Sequence, residues 1–167
     1  MSLRQIPNPG VLGIADSFRE TAETLNKLSD QRMSIPTIVN AAFAIELFLK
    51  SLNIEFRFEN PTQIMPGLTA FDRVREVPLK TGHLPSALFH ALDQALQDEL
   101  ESHFAQANYR NKPLTLIAAL QQYDGVFQDW RYIFEGHAKT IDIQALLELL
   151  RFLSETINGF PSKWTRA

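Results

Sequence analysis

Glu46 and Lys50 lie one helical turn apart within a strongly apolar stretch, residues 40–52, which reads NAAFAIELFLKSL. Apolar residues fall on every side of this segment, which is typical of a helix that is buried all round. A charge on such a helix is costly unless it is paired. The sequence therefore predicts either a structural ion pair at the centre of the fold or a polar site there.

Two interpretations of this pair stay open. Glu46 precedes Lys50 by four residues, the favourable order for an ion pair on one helix, so the pair would fix helix packing. Alternatively, Glu46 orients Arg131 from a neighbouring helix, and the three side chains together line a polar pocket.

His83 is a further candidate, because it follows Gly82 where another helical pattern begins. It is either a residue of the helix cap or a separate ligand-binding candidate. His90 is seven residues further on, which is not a metal-ligand spacing. We therefore expect neither a metal nor a cofactor.

The composition excludes several classes of site. The chain has 167 residues, no cysteine and a formal net charge of −3. Disulfides, thiolate metal sites and a cysteine nucleophile are excluded, and a broad surface for duplex DNA would need a basic excess. The first residues lack the apolar segment of a signal peptide, and the longest apolar run, residues 41–45, is too short to span a bilayer. We expect a cytoplasmic protein without membrane contact.

Helical spacing of apolar residues organises most of the chain. It predicts an amphipathic helix over residues 11–28 and the buried helix from about 34 to 52. Later stretches with the same period are residues 82–107, 114–121, 126–135 and 140–158, with a break expected near Asp124 and Gly125. Residues 54–58 alternate and predict one short strand, followed by a long proline-containing loop to residue 81.

These elements predict an all-α fold. Residues 1–10 are expected to form an irregular arm and residues 159–167 a loosely held tail. Between them, residues 11–158 form one domain, an antiparallel up-and-down bundle of five to seven helices.

Three segments together resemble the HEPN superfamily (higher eukaryotes and prokaryotes nucleotide-binding). They are AAFAIELFLKSL with Glu46 and Lys50, KTGHLPSALFHAL with His83, and FQDWRYIFEGH with Arg131 and Tyr132. The resemblance covers roughly residues 11–158. It implies a helical bundle, commonly dimeric. Members are either metal-independent ribonucleases of toxin or defence systems, or non-catalytic binders of nucleotides, RNA or proteins.

Catalytic members of that superfamily carry an arginine followed within a few residues by a histidine. Arg131 and His137 satisfy the loose form of the motif, with Tyr132 after the arginine and Gly136 before the histidine. On a straight helix their side chains would point about 120° apart, so they would meet only in a cleft of a two-fold dimer. Arg131 would hold the scissile phosphate and His137 would act as general acid or base. Alternatively, Arg131 pairs with Glu135 and His137 is exposed at a helix end.

The resulting hypothesis is a HEPN-like domain that binds RNA or a nucleotide, with weak metal-independent ribonuclease activity as its enzymatic form. Expected partners are a second copy in a homodimer and a nucleotidyltransferase or antitoxin. The alternatives are a non-catalytic protein-interaction module with an aromatic surface, and small-ligand binding in the bundle core. The candidate catalytic residues are Arg131 and His137, and the candidate ligand-binding residues are Glu46, Lys50, His83 and Tyr132.

Overall fold

A computed structural model describes residues 2–28, 30–109, 111–131 and 140–166 of the chain. The described elements, in chain order, are β1 (Ser2–Ile6), α1 (Pro9–Lys27), a 3-10 turn (Gln31–Met33), α2 (Ser34–Ser51), β2 (Ile54–Met65), β3 (Leu68–Pro78), α3 (Pro85–His90), α4 (Gln94–Gln106), α5 (Leu116–Gln121), α6 (Val126–Arg131), α7 (Ile143–Asn158) and β4 (Lys163–Arg166). The prediction of an all-α bundle is wrong, because a four-stranded sheet accompanies the helices.

Helix α2 lies at the centre of the helical part and packs against α1, α3, α6 and α7. Its side chains Ile45, Phe48 and Leu49 are fully buried and share one apolar core with Phe104 of α4 and Leu146 of α7. The prediction of a buried central helix is confirmed. Its lack of a polar face follows from contact with neighbouring helices on several sides.

The sheet is built from segments that are far apart in sequence. All its strands are antiparallel, in the order β3-β2-β1-β4. Leu3 pairs with Phe56 on one side and with Arg166 on the other. Residues predicted to form an irregular arm and a loose tail therefore pair with each other as β1 and β4. Such short strands carry little local signal, because pairing rather than propensity stabilises them.

Strands β2 and β3 form a hairpin where the sequence predicts one short strand and a loop. The strand over residues 54–58 is confirmed, but it continues to Met65 and returns as β3. Pro66 and Gly67 make the connection, and Gly67 has a φ of 81°. Proline followed by glycine at positive φ is typical of a type II turn. Most of the predicted loop is thus paired strand, and only its middle is a turn.

One described segment, Gln31–Ser51, is long and apolar enough to cross a membrane by length and composition. Half of its apolar 18-residue stretch is buried inside the protein. A core helix of a soluble protein passes the same test, and α2 has that position here. The segment is consistent with a soluble protein.

Candidate functional site

The candidate site centres on the carboxylate of Glu46, in the middle of α2. Apolar residues flank it on the helix, and its side chain is only 1% exposed. Lys50, one turn later on the same helix, donates from Nζ to Oε1 of Glu46 at 2.5 Å. The predicted ion pair is therefore present, and it is built on a nearly inaccessible carboxylate.

His83 brings a second hydrogen-bond donor to the same carboxylate from a distant part of the chain. Its Nδ1 lies 3.0 Å from Oε1 and 3.1 Å from Oε2 of Glu46. A carboxylate can only accept, so Nδ1 donates and the imidazole orientation is fixed. The side chain of His83 is 45% exposed, whereas that of Lys50 is 21% exposed. Glu46 is thus the buried base of a cluster whose imidazole reaches the surface.

A sharp turn before α3 places His83 over α2. Gly82 has a φ of 120°, a conformation that side-chain-bearing residues rarely adopt. Helix α3 begins only at Pro85, so His83 precedes the helix and does not cap it. Ser86, in the first turn of α3, donates from its backbone N–H to Oδ1 of Asp124 at 3.0 Å, and its hydroxyl donates to Oδ2. This contact ties the start of α3 to the loop before α6.

Aromatic rings connect the cluster to α6 and α1. The ring of Phe127 lies 6.1 Å from the His83 imidazole, at an interplanar angle of 35°. Phe127 stacks on Phe43 at 4.7 Å, and Phe43 makes an edge contact with Phe18 at the same distance. Offset and edge-to-face pairs of this kind add to simple apolar burial. The imidazole of His83 therefore contacts both the Glu46 carboxylate and the Phe127 ring.

The sequence-predicted residues separate into two groups. The structure brings together Glu46, Lys50 and His83. Tyr132 and His137 lie outside the described residues, and for Arg131 only the main chain is described, as the last residue of α6. Helix α6, which ends at Arg131, packs against α2, which carries Glu46. The predicted proximity of these two helices is therefore confirmed, whereas the contact between Glu46 and Arg131 stays a prediction.

Two features of the cluster were not predicted. The sequence suggested Lys50 or Arg131 as the partner of Glu46, and His83 as a separate candidate. Nor did it place Phe127 beside the imidazole. Gly82 directly before His83 was the available signal, because a glycine there permits the chain to turn back onto α2.

The described residues contain no group of three or more His, Asp and Glu side chains arranged to hold a metal ion. The indole Nε1 of Trp130, in α6, is buried and has no acceptor within the described part of the chain. Among the described residues, the cluster offers an oriented imidazole, an ammonium group and nearby aromatic rings.

Comparison of the chain with protein-family models, with curated proteins and with solved structures gives no match. The functional conclusion consequently rests on the geometry of the site and on the motif resemblance.

Proposed function

We propose that this protein binds single-stranded RNA or a nucleotide where Lys50, His83 and Phe127 surround the buried Glu46. The single observation that carries the proposal is the orientation of His83. Its Nδ1 is bound to a buried carboxylate while the side chain remains nearly half exposed. Nε2 is then the ring nitrogen left to meet a ligand.

The charges of the cluster favour a phosphate group. When His83 is protonated, it and Lys50 together carry two positive charges against the one negative charge of Glu46. A phosphate beside the imidazole would compensate the excess and accept from Nε2 in a charge-assisted hydrogen bond. The ring of Phe127 lies next to the imidazole, and stacking of bases on aromatic faces is a common way of holding single strands.

The enzymatic form of the proposal is weak, metal-independent cleavage of RNA. Neutral His83 would carry its lone pair on Nε2 and accept the proton of a ribose 2′-hydroxyl, while Glu46 holds the ring in the required tautomer. The motif resemblance adds Arg131 as a phosphate ligand and His137 as the acid. RNA cleavage in EDTA that is lost in both His83→Ala and His137→Ala would support this form, and cleavage that persists in both would overturn it.

Binding is tested by fluorescence anisotropy with a labelled single-stranded RNA, and with AMP as competitor to separate oligonucleotide from mononucleotide recognition. We expect His83→Ala to weaken binding about tenfold or more, because a charge-assisted hydrogen bond is lost. His103→Ala is the matched control, since His103 is an exposed histidine on α4. Equal RNA affinity of the two variants would show that His83 does not bind the RNA.

A second candidate function, protein association, is favoured by the hairpin. Its tip exposes the side chains of Ile64, Met65 and Leu68 by 60%, 56% and 48%. Neighbouring exposed apolar residues of this kind mark contact surfaces. If the hairpin mediates the expected homodimer, replacing all three by serine should give a monomer in size-exclusion chromatography with light scattering. An unchanged dimer, or a monomeric parent protein, would exclude this role.

A further inference from the structure

A cavity separate from the Glu46 cluster lies between the sheet and the first turns of α4. It has a volume of about 300 Å³, at the small end of ligand pockets. One wall is the β1–β4 pair, the other is α4, and Phe160 and Pro161 also line the cavity. We propose that this cavity binds a free α-amino acid with an apolar side chain.

The sheet wall of the cavity is cationic. Arg4 pairs with Thr165 and Ile6 pairs with Lys163 across β1 and β4, so all these side chains project from one face of the sheet. Arg4 donates from one terminal nitrogen to Asp93 at 3.2 Å. Lys163 has no ion pair or hydrogen bond from its side chain within the described part of the chain. Its ammonium group is therefore available to an anionic ligand group.

The helix wall of the cavity is anionic. Asp93, directly before α4, and Glu99, within it, both line the cavity. Asp93 is already bound to Arg4, whereas Glu99 has no ion pair or hydrogen bond among the described side chains. Within the described part of the chain, the cavity therefore has one exposed, unpaired cation on the sheet and one exposed, unpaired anion on the helix.

This arrangement matches a zwitterion. The carboxylate of an amino acid would bind Lys163 on the sheet side, with Arg4 close by, and its ammonium group would bind Glu99 on the helix side. Its apolar side chain would contact Leu96 and Phe160, which also line the cavity. A simple carboxylic acid would contact only Lys163, and a simple amine would contact only Glu99. The carboxylates of Asp93 and Glu99, which line the cavity, disfavour the phosphates of a nucleotide.

The ligand class is tested by NMR titration of the full chain with L-leucine and its two truncated analogues. 4-Methylpentanoate lacks the ammonium group, and 3-methylbutylamine lacks the carboxylate. We expect saturable shifts with leucine and about tenfold weaker binding of each analogue, because each loses one charge-assisted contact. Absence of saturation with leucine, or equal affinity for all three compounds, would overturn the proposal.

Variants of the lining residues locate the binding. Glu99→Gln should abolish the preference for leucine over 4-methylpentanoate, and Lys163→Gln should abolish its preference over 3-methylbutylamine. Ala95→Trp should block the cavity. Ala95 is exposed and lines the cavity, so the fold should tolerate the larger side chain. Unchanged leucine affinity in Ala95→Trp would overturn the assignment, and Glu20→Gln, on the exposed face of α1, is the charge control.

Discussion

Two groups of acidic and basic side chains in the described part of the chain, one on α2 and one in the hairpin, differ in physical character. In α2, Glu46 is 1% exposed and contacts both Lys50 and His83. In the hairpin, Glu59 and Arg75 lie 3.5 Å apart across β2 and β3, with their side chains 37% and 51% exposed. The residue types are similar, but one carboxylate depends on its protein partners whereas the other is hydrated.

The difference in burial shows which carboxylate can fix the positions of its partners. An exposed pair can separate at little cost, because water replaces the lost partner. The buried Glu46 carboxylate has no such substitute, so it constrains the positions of Lys50 and His83. Consequently, the cluster in α2 can hold an imidazole in a fixed orientation, and the hairpin pair contributes mainly to solubility and local pairing.

Glu46→Ala should therefore have the largest effect. We expect a loss of about 3 kcal/mol in the free energy of unfolding, since breaking a buried pair leaves its partners uncompensated and opens space in the core. Urea denaturation followed by circular dichroism measures it. RNA affinity should also fall in this variant, because His83 loses its hydrogen bonds to Glu46.

Glu46→Gln separates the loss of charge from the loss of packing. The amide keeps the volume and one acceptor, so most of the packing is retained while the charge is removed. If both variants unfold at the same denaturant concentration as the parent protein, Glu46 is not a buried structural carboxylate and the comparison fails.

A second prediction concerns another ionisable group buried in the helical part. Burial raises the pKa of Tyr123 from 10 to about 12, with further contributions from the negative charges of Asp142 and Glu148. The folded state therefore favours the neutral phenol. This contribution to stability is complete below pH 10 and is lost as the pH rises towards 12. The expected loss is about 2 kcal/mol.

The Tyr123→Phe variant isolates this effect from other groups that titrate at high pH. Its unfolding free energy should decline less steeply between pH 9.5 and about 11.5 than that of the parent. Burial also raises the pKa of Tyr109, so the variant Tyr109→Phe/Tyr123→Phe should show a still flatter profile. Parallel profiles for parent and Tyr123→Phe would contradict the assigned cause.

The helices were predictable because their signal is local. Apolar residues at helical spacing identify α1, α2 and α7, with boundaries at most about three residues from those observed, and helix ends are the least certain part of such a prediction. The sheet was not predictable in this way, because β1 pairs with β4 at the other end of the chain.

The site shows the same division between local and distant contacts. The pair of Glu46 and Lys50 follows from their four-residue spacing. The contact between Glu46 and His83 joins residues 37 positions apart, and it depends on how α3 is placed over α2. No periodic pattern in a single sequence encodes that placement.

Two glycines offer a third test, matched between the two regions. Gly82 precedes His83 and Gly67 forms the hairpin turn. Both have positive φ, and an added Cβ would meet no atom within 4 Å at either position. Gly82→Ala and Gly67→Ala should each cost about 1 kcal/mol through backbone strain alone. RNA affinity should fall in Gly82→Ala only, and an equal effect of both variants on binding would show that the turn before His83 does not position the imidazole.

The smallest effect is expected for the exposed pair in the hairpin. Glu59→Gln should change the free energy of unfolding by less than about 0.5 kcal/mol. Because exposed ion pairs are screened by salt, even this difference should disappear in about 1 M sodium chloride. Denaturant unfolding at low and high salt measures both quantities. A loss as large as that of Glu46→Ala would mean that the hairpin pair is shielded from water by a contact such as a second copy. The difference in burial between the two clusters would then hold only for the isolated chain.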